Sequence, residues 1–489
     1  TAVVILKTGI ELCGGAAEYH VPHRIREGYG MKDDVIERAG SEGVRLIISV
    51  DTGIRAFAAA ETAARLGIDL IVTDHHLPES AQGLVPKAHA VLNPNQPGCE
   101  YPCKALCGAG VAFKLVQALL EKKKDAGERR KLELSFLKMV AIATIADAVP
   151  LKDENRVFAK LGLEGLRTAV NPGLRALMDC AQLDPKRVPL TAADVAFRIA
   201  PRLNAAGRMD VARDVIELFS VKEEKRAREL AEKLNQLNGD RQAEEQRILE
   251  AIWQRLDGDQ ALRESYCIVV DGDGWHRGVI GIAATRVVEK YCRPALVMAS
   301  VDGVAHGSGR SIPAFHLLDA LESCPELFER FGGHAHAVGC SLPSERVPEL
   351  RARLDAYART KLSEADFVPS LLVDSELEFR EITPELLDAV QKLEPFGMGN
   401  REPVFAVKEA RLVAPPKILK EKHLKLRVIA ANGSRGLDLM GWRMAERAQG
   451  LTAGDALEFA CKLDENTHPE FGGLQLMLCD LRKKTAAAS

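Results

Sequence analysis

The chain has 489 residues, of which 46% are hydrophobic and 28% are charged, and its formal net charge is −3. This length and composition are typical of a globular protein with about two to four domains. The absence of an apolar run of membrane-spanning length argues against a membrane protein. The slightly acidic balance is not the strongly basic one that announces a nucleic-acid binder, although a local groove can still be basic.

The eleven cysteines are an odd number scattered through a large chain. They do not indicate a disulfide framework, which small secreted domains use. The first residues also lack the basic-then-apolar pattern of a signal peptide. We therefore expect a cytoplasmic protein.

The first third of the sequence predicts a parallel α/β unit. TAVVILKTGIELCGG (1–15) has the pattern of a helix already in progress at its first residue. VRLIISVD (44–51) and IDLIVTDHH (68–76) have the β-branched composition of strands, and an Ala-rich helix that stops at Gly67 separates them. Continuous apolar runs in a βαβ unit favour a parallel sheet covered on both faces. LSFLKMVAIATIADAVPL (134–151) predicts a buried helix that Pro150 closes.

Further along the chain, residues 222–257 predict a long charged helix that connects two domains. Its apolar positions form a narrow stripe, and we expect Gly239 to interrupt it. YCIVVDGDGW (266–275) opens a second α/β region that reaches about residue 360. Short alternating strands dominate residues 370–489 and predict a small barrel or sandwich.

Acids and imidazoles stand where the apolar segments of the first region end. Asp51 follows one predicted strand, His75 follows the next, and Asp147 follows the buried helix. The carboxyl ends of parallel strands meet at one edge of a sheet, where ligands bind. Two carboxylates and an imidazole there predict an Mn²⁺ or Mg²⁺ site, with Asp74 orienting the ligand imidazole and His76 facing a substrate phosphate. The alternative is that the aspartates only form turns and the histidines are ordinary surface groups.

Cys99, Cys103 and Cys107 recur at four-residue intervals. Zinc and cluster sites usually contain a closer Cys-x-x-Cys pair. The neighbouring Pro and Gly residues instead predict a loop that leads into a helix.

Eight segments together resemble a known family. They are VDTGI (50–54), VTDHH (72–76), TIADAVPL (144–151), IAPRLNAAGRM (199–209), WHRGVIGIAATR (275–286), GSGRSIPAF (307–315), GGHAHAVG (332–339) and LEPFGMGNREPVF (393–405). The first three resemble motifs of the DHH phosphoesterase superfamily. The complete set, in this order and over essentially the whole chain, resembles the RecJ family.

The resemblance implies a single-strand-specific 5′→3′ DNA exonuclease of DNA repair and recombination that uses two Mn²⁺ or Mg²⁺ ions. It implies that Asp51 bridges both ions, that His75 and Asp147 complete the coordination of one, and that His76 contacts the scissile phosphate. Asp74 is included in the catalytic set.

The resemblance also implies which residues bind the nucleic-acid backbone. In the second α/β region these are Ser308, Arg310, Ser311, Gly332, Gly333 and His334. His276 and Arg277 are additional candidates. Arg202, Asn204 and Arg208 would line the path between the domains. The guanidinium of Arg310, which lies among Gly and Ser residues, also suits a phosphate on physical grounds. The alternatives are a flexible loop, a tight turn and surface arginines.

The expected architecture is α/β with four parts. A parallel-sheet DHH domain covers 1–220, a connecting helix 221–260, a DHH-associated α/β domain 261–362, and an OB-like β-barrel 363–489. The expected partner is single-stranded DNA, with a single-strand-binding protein and a helicase as further candidates, and we expect a monomer.

One family motif has no counterpart here. The family carries an Asp-x-Asp motif after its first strand, and Thr1 aligns just beyond it. We therefore expect a fragment of a longer protein that binds Mn²⁺ weakly and has little nuclease activity. Two other functions stay open: a superfamily relative that hydrolyses short oligonucleotides or cyclic dinucleotides, and a non-catalytic homologue that binds DNA or the replisome.

Overall fold

The structure is a computed structural model, and it describes residues 1–22, 30–78, 83–209, 212–430, 433, 436–466 and 472–484, except for the side chains of 208 and 209. Its first unit contains α1 (Ala2–Leu12), α2 (Asp33–Ser41), β1 (Leu46–Val50), α3 (Phe57–Arg65), β2 (Asp69–Thr73), β3 (Ala90–Leu92), α4 (Gly108–Lys123), α5 (Ala126–Ala146), α6 (Asp153–Leu166), α7 (Pro172–Cys180), α8 (Ala192–Asp194), α9 (Ala200–Met209) and α10 (Arg213–Ser220). A π-helical turn, Val195–Ile199, joins α8 to α9.

The sheet of this unit is parallel, with the order β1-β2-β3. Ile48 pairs with Ile71, and Ile71 pairs with Ala90. One face of the sheet packs on α1, α4 and α5, and the other packs on α2 and α3. The predicted βαβ unit, its cover on both faces and the helix that ends before Asp147 are confirmed. All three strands end at the same edge.

A single helix, α11 (Glu224–Gly258), connects the first unit to the second. Its 35 residues span about 52 Å at the usual rise per residue. The first part of its apolar stripe, which includes Leu230 and Leu234, packs in the first unit. The later part, Ile248 and Ile252, packs in the second. The expected interruption at Gly239 is wrong, because the helix continues through that residue; one Gly costs about 1 kcal/mol, which two packed flanks outweigh.

The second unit is α/β, as predicted. It contains α12 (Gln260–Arg263), β4 (Ile268–Asp273), α13 (Ile280–Tyr291), β5 (Ala295–Val301), β6 (Val304–Arg310), α14 (Leu317–Glu322), β7 (Arg330–His334), β8 (Ala337–Pro343) and α15 (Val347–Arg359). The strand order is β4-β5-β6-β8-β7, parallel between β4 and β5 and antiparallel elsewhere. Helices α11 and α13 pack on one face of this sheet, and α14 and α15 pack on the other.

The last unit is the predicted β-barrel. It contains β9 (Ser375–Glu376), α16 (Pro384–Gln391), β10 (Phe405–Leu412), β11 (Lys417–Leu419), β12 (His423–Ala430), β13 (Gly436–Gly441), β14 (Ala456–Asn466) and β15 (Gly473–Lys483). The order is β11-β12-β13-β15-β14-β10-β9, and pairing of β12 with β10 closes the sheet around one apolar core.

The barrel unit touches the first unit just after Asp147. The Leu151 amide donates a hydrogen bond of 2.7 Å to the Met398 carbonyl. The Arg156 guanidinium donates one, also 2.7 Å, to the Leu393 carbonyl. A β-carbon at Gly397 would lie 2.8 Å from Leu151, so the glycine permits this close approach. Within the described ranges, no helix has both the length and the apolar content that a membrane span requires.

Candidate metal centre and nucleic-acid interface

The edge where β1, β2 and β3 end carries the polar cluster. Asp51 follows β1, with its amide donating to the Thr73 carbonyl at 2.9 Å. Its φ of 60° is the left-handed conformation, which aspartate tolerates better than most residues. Such a backbone costs of order 1–3 kcal/mol and is most common at functional sites. The strained turn aims the Asp51 carboxylate back over the ends of the strands.

The predicted convergence of two acids on His75 is confirmed. Its Nε2 lies 3.2 Å from Oδ1 of Asp51 and 3.5 Å from Oδ2 of Asp147. Burial disfavours a charged ring, but the hydrogen bond to Asp51 and the charges of both carboxylates outweigh it and raise the pKa of His75. Burial raises the pKa of Asp147 despite the attraction of His75.

Asp74 is buried, with 1% of its surface exposed, and both of its carboxylate oxygens accept hydrogen bonds. Oδ2 accepts from the Ile54 amide at 2.9 Å, and Oδ1 accepts from the His75 amide at 2.8 Å. Oδ1 also lies 2.7 Å from Nδ1 of His76. Burial works against the charge, but the bonds to His76 and Ile54 lower the pKa of Asp74.

Asp74 therefore orients the ring of His76, and the expectation that it orients the His75 ring is wrong. The side chain of a residue directly before His75 cannot easily reach that ring, whereas His76 lies two positions on and turns back over the carboxylate. Its bond to Asp74 raises the pKa of His76. The other ring nitrogen, Nε2, has no hydrogen-bond partner among the described residues.

The chemistry of these groups suits a hard divalent cation. One ligand atom each from Asp51, His75 and His76 lies within 4.8 Å of the others. In the described part of the chain, this is the one group of acids, histidines and cysteines close enough to hold a metal ion. This group includes His76 and omits the predicted ligand Asp147, whose Oδ2 lies 3.5 Å from Nε2 of His75. With Asp147 added, the carboxylate oxygens and the imidazole of His75 form a set that suits Mn²⁺ or Mg²⁺.

Three residues of this site were not predicted from the sequence. Asn93 and Asn95 follow β3 and donate to the carbonyls of His76 and His75, at 2.8 and 2.7 Å. Gly108 begins α4, where a β-carbon would stand 2.3 Å from Oδ1 of Asp51. The apolar run HAVL before Asn93 was the available signal for a third strand ending at the same edge.

Cys107, the last of the three spaced cysteines, has a structural contact. Cys107 is the N-cap of α4 and accepts a hydrogen bond from the Gly110 amide. Burial raises the pKa of Cys107 to about 11, so the thiol is uncharged at neutral pH.

The second unit brings Ser308 and Arg310 together beside the start of α13. Nη1 of Arg310 donates to Oγ of Ser308 at 3.3 Å. A β-carbon at Gly281, in the first turn of α13, would lie 2.9 Å from that same oxygen. Burial lowers the pKa of Arg310, and among the residues described no carboxylate pairs with it. A half-buried guanidinium, a hydroxyl and a helix N-terminus together favour an anion.

Gly332 and Gly333 lie on strand β7, which β8 separates from β6. Gly332, Gly333 and His334 are all exposed. Gly333 has a φ of +145°, and a β-carbon there would lie 2.3 Å from the Ala337 carbonyl oxygen, so only glycine fits. Ser311 has a structural contact, since its hydroxyl donates to the Phe315 carbonyl at 2.8 Å.

His276 and Arg277 precede α13. The His276 amide donates to Glu244 of α11 at 3.0 Å, and its Nδ1 accepts from the Gly278 amide at 3.0 Å. These bonds attach the loop to the connecting helix. Arg277 lies near His306 of β6 and acts on it electrostatically.

Arg202, Asn204 and Arg208 were predicted to line the path between the domains, and the structure gives Arg202 another role. Arg202 donates to Oδ1 of Asn235 at 2.9 Å and to carbonyls of Arg198 and Cys180, so its guanidinium holds α7, α9 and α11 together. This is a structural use of a residue that we expected to face the nucleic acid. Asn204 is exposed, and the side chain of Arg208 lies outside the described residues.

Comparisons with known proteins follow this organisation. The DHH family N-terminal domain matches residues 1–144, the DHHA1 domain 264–360 and the RecJ OB domain 373–480. The single-stranded-DNA-specific exonuclease RecJ of Dickeya dadantii is 35% identical over 95% of this chain, which covers 82% of that relative. The chain belongs to the RecJ family.

Two further RecJ proteins show the extent of the likeness. RecJ of Bacillus subtilis is 37% identical over 98% of this chain, which spans 59% of that relative's length. The crystal structure of RecJ in complex with Mn²⁺ from Thermus thermophilus superposes with a TM-score of 0.82 at 29% identity. The match covers 99% of this chain and 67% of the Thermus chain. The predicted α/β fold with a terminal OB barrel is thereby confirmed.

Proposed function

We propose that the protein degrades single-stranded DNA from the 5′ end by metal-assisted hydrolysis of phosphodiester bonds, in DNA repair and recombination. The observation that carries this proposal is the meeting of Asp51 and Asp147 on the Nε2 of His75. RecJ family membership supports the substrate class, since the relatives are named as single-stranded-DNA-specific exonucleases. The 5′→3′ direction follows from the family resemblance.

Asp51, His75 and Asp147 would hold Mn²⁺ or Mg²⁺. Burial lowers the pKa of His75, but the hydrogen bond to Asp51 and the charges of Asp147 and Asp51 raise it, which supports a position that favours positive charge. When bound, such an ion lowers the pKa of a water molecule and stabilises charge that develops on the phosphate. The Asn95 bond to the His75 carbonyl holds this ligand in place from outside the cluster.

His76 would act on the phosphate group. Asp74 fixes its ring through Nδ1 and raises its pKa, which favours the protonated form of the ring. A protonated imidazole can donate to a non-bridging oxygen or to the leaving oxygen. Ser308 and Arg310 would hold a neighbouring phosphate, which positions the strand without reading its sequence.

The test is digestion of a long single strand that carries its label at the 5′ or the 3′ end, with Mn²⁺ present. Early release of a labelled mononucleotide from the 5′ end alone supports the proposal. Preference for a dinucleotide would favour the short-substrate relative, and binding without cleavage would favour the non-catalytic homologue. Asp51→Asn should abolish cleavage, whereas Asp69→Asn, an exposed acid at the start of β2, should not.

We further propose a cytoplasmic monomer that works with a single-strand-binding protein and a helicase, as the family resemblance implies. Size-exclusion chromatography with light scattering tests the monomer. Pull-down with purified single-strand-binding protein tests the first partner; no retention above a bead control would contradict it.

A further inference from the structure

Helices cover only part of one face of the sheet in the second unit. Helix α13 packs over β5, where Ala295, Val297 and Ala299 are fully buried. Their cross-strand partners on β6, in the same order, are Arg310, Ser308 and His306. These three are only partly buried, although α13 packs against β6 as well as β5. Beyond them, Gly339 on β8 and Gly332 on β7 are exposed, so this face is open there.

The register across β6, β8 and β7 arranges the open face in three rows. Directly paired residues of antiparallel strands point to the same side. The rows are His306–Ser341–Arg330, Ser308–Gly339–Gly332 and Arg310–Ala337–His334. The first and third rows each contain an arginine and a histidine.

The middle row has almost no side chains and forms the floor of a shallow groove. A β-carbon at Gly332 would meet no atom within 4 Å, and one at Gly339 would meet only the Gly307 carbonyl oxygen, at 3.9 Å. The groove therefore crosses the strands between two basic walls. Its Ser308 end joins the candidate anion site at the start of α13.

The other wall of the groove is the row His306–Ser341–Arg330, which contains no acidic residue. Arg330 is exposed, and neither Arg330 nor Arg277 has an ion pair within the described part of the chain. Arg277 acts on His306, whose pKa is lowered by burial and by that charge, while Glu329 opposes the shift. Arg277, Arg330 and His306 thus stand toward one end of the groove, with Glu329 as the acid that acts on His306 and with Asp240 and Glu244 near Arg277.

We infer that Arg330, together with His306, binds a second phosphate of the single strand, on the other side of the glycine floor from the one held by Arg310 and Ser308. Alternate residues of a strand are about 7 Å apart, so the His306 and Arg310 rows lie about twice that distance apart, on either side of the glycine floor. A strand lying in the groove would expose its backbone to both walls. The contacts reach phosphates rather than bases, so they add affinity at any sequence. This inference rests on the proposed function.

The test uses the complete chain and a fluorescent oligothymidine of about 12 nucleotides, a length within the usual site size of one OB fold. Divalent ions are left out so that no cleavage occurs, and anisotropy gives the binding constant at several salt concentrations. The variants are Arg330→Ala and Arg310→Ala. The matched control is Arg353→Ala, which removes the same charge from α15, on the opposite face of the sheet. Each phosphate contact on a single strand contributes about 0.7 to the slope of log K against log salt.

We expect Arg330→Ala to weaken binding about ten-fold and to reduce the slope by about 0.7, and Arg330→Lys to retain most of the slope. Arg353→Ala should change neither quantity. If Arg310→Ala weakens binding but Arg330→Ala matches Arg353→Ala, the second contact does not exist and the proposed function is untouched. If wild type itself does not bind the oligonucleotide, the proposed function fails.

Discussion

Gly108 packs directly against the carboxylate of Asp51, so that a β-carbon at position 108 would lie 2.3 Å from Oδ1. Alanine is otherwise favourable in a helix. We expect Gly108→Ala to leave the fold intact but to displace Asp51 and weaken Mn²⁺ binding about ten-fold, the size typical of changes beside a metal ligand. Isothermal titration with Mn²⁺ measures this.

The control for that variant is Gly110→Ala on the same helix. A β-carbon there would meet its nearest neighbour, Leu106, at 3.4 Å, an ordinary contact. Equal Mn²⁺ affinity in the two variants would show that the Gly108 contact does not position Asp51.

Asp74→Asn tests how His76 is held. The neutral amide keeps the shape of the side chain but removes the charge that raises the pKa of His76. We expect the pKa of His76 to fall, and cleavage at neutral pH to slow by about 100-fold if His76 donates a proton. An NMR titration of the histidine ring protons in metal-free protein measures the pKa.

Asp69→Asn is the matched control, because Asp69 contacts His89 at 3.3 Å where both side chains are exposed. That variant should leave the His76 titration and cleavage unchanged. A His76 pKa that stays the same in Asp74→Asn would contradict the assigned orientation.

Metal binding should depend on pH through His75. Mn²⁺ binds the neutral imidazole, so the ion competes with a proton. Because the pKa of His75 is raised, the ring keeps its proton to higher pH than a free imidazole does. Mn²⁺ affinity should therefore keep rising above the ordinary titration range of histidine. Mn²⁺ titrations followed by electron paramagnetic resonance across this range test it, and a flat profile would contradict it.

Two adjacent glycines should differ in their effect on folding. Gly333→Ala forces a β-carbon into a backbone conformation with φ of +145° and onto the Ala337 carbonyl, and should destabilise the second unit by about 1–3 kcal/mol. Gly332→Ala places its methyl group in open space and should leave stability nearly unchanged. Thermal-shift midpoints of both variants provide the comparison; equal midpoints would contradict the strain at Gly333.

Much of the first unit could be predicted because its signals are local. The apolar runs that end on Asp51, His75 and Asp147 predict two strands and a helix. They also predict the edge at which these elements meet. The partner of Asp74 could not be predicted in this way, because it depends on how the chain turns after β2. Gly108 was missed for a related reason, because a missing side chain leaves no pattern in the sequence. The apolar run before Asn93 signals a strand, but the bond from Asn93 to the His76 carbonyl leaves no such pattern.

The arginines show the opposite difficulty. Arg202 and Arg310 each lie in a family motif. Both donate to backbone carbonyls, but Arg202 also bonds Asn235 of α11, whereas Arg310 lies half-buried beside Ser308 at the start of α13. Which partners surround a guanidinium is decided by tertiary structure.

The unbroken course of α11 through Gly239 has a consequence for evolution of the enzyme. Each residue of an α-helix adds a rotation of about 100° and a rise of about 1.5 Å. One inserted or deleted residue near the middle of α11 would turn the sheet of the second unit away from the edge that carries Asp51, His75 and Asp147. The length of this helix should therefore be far less tolerant of insertions than that of the loops on either side.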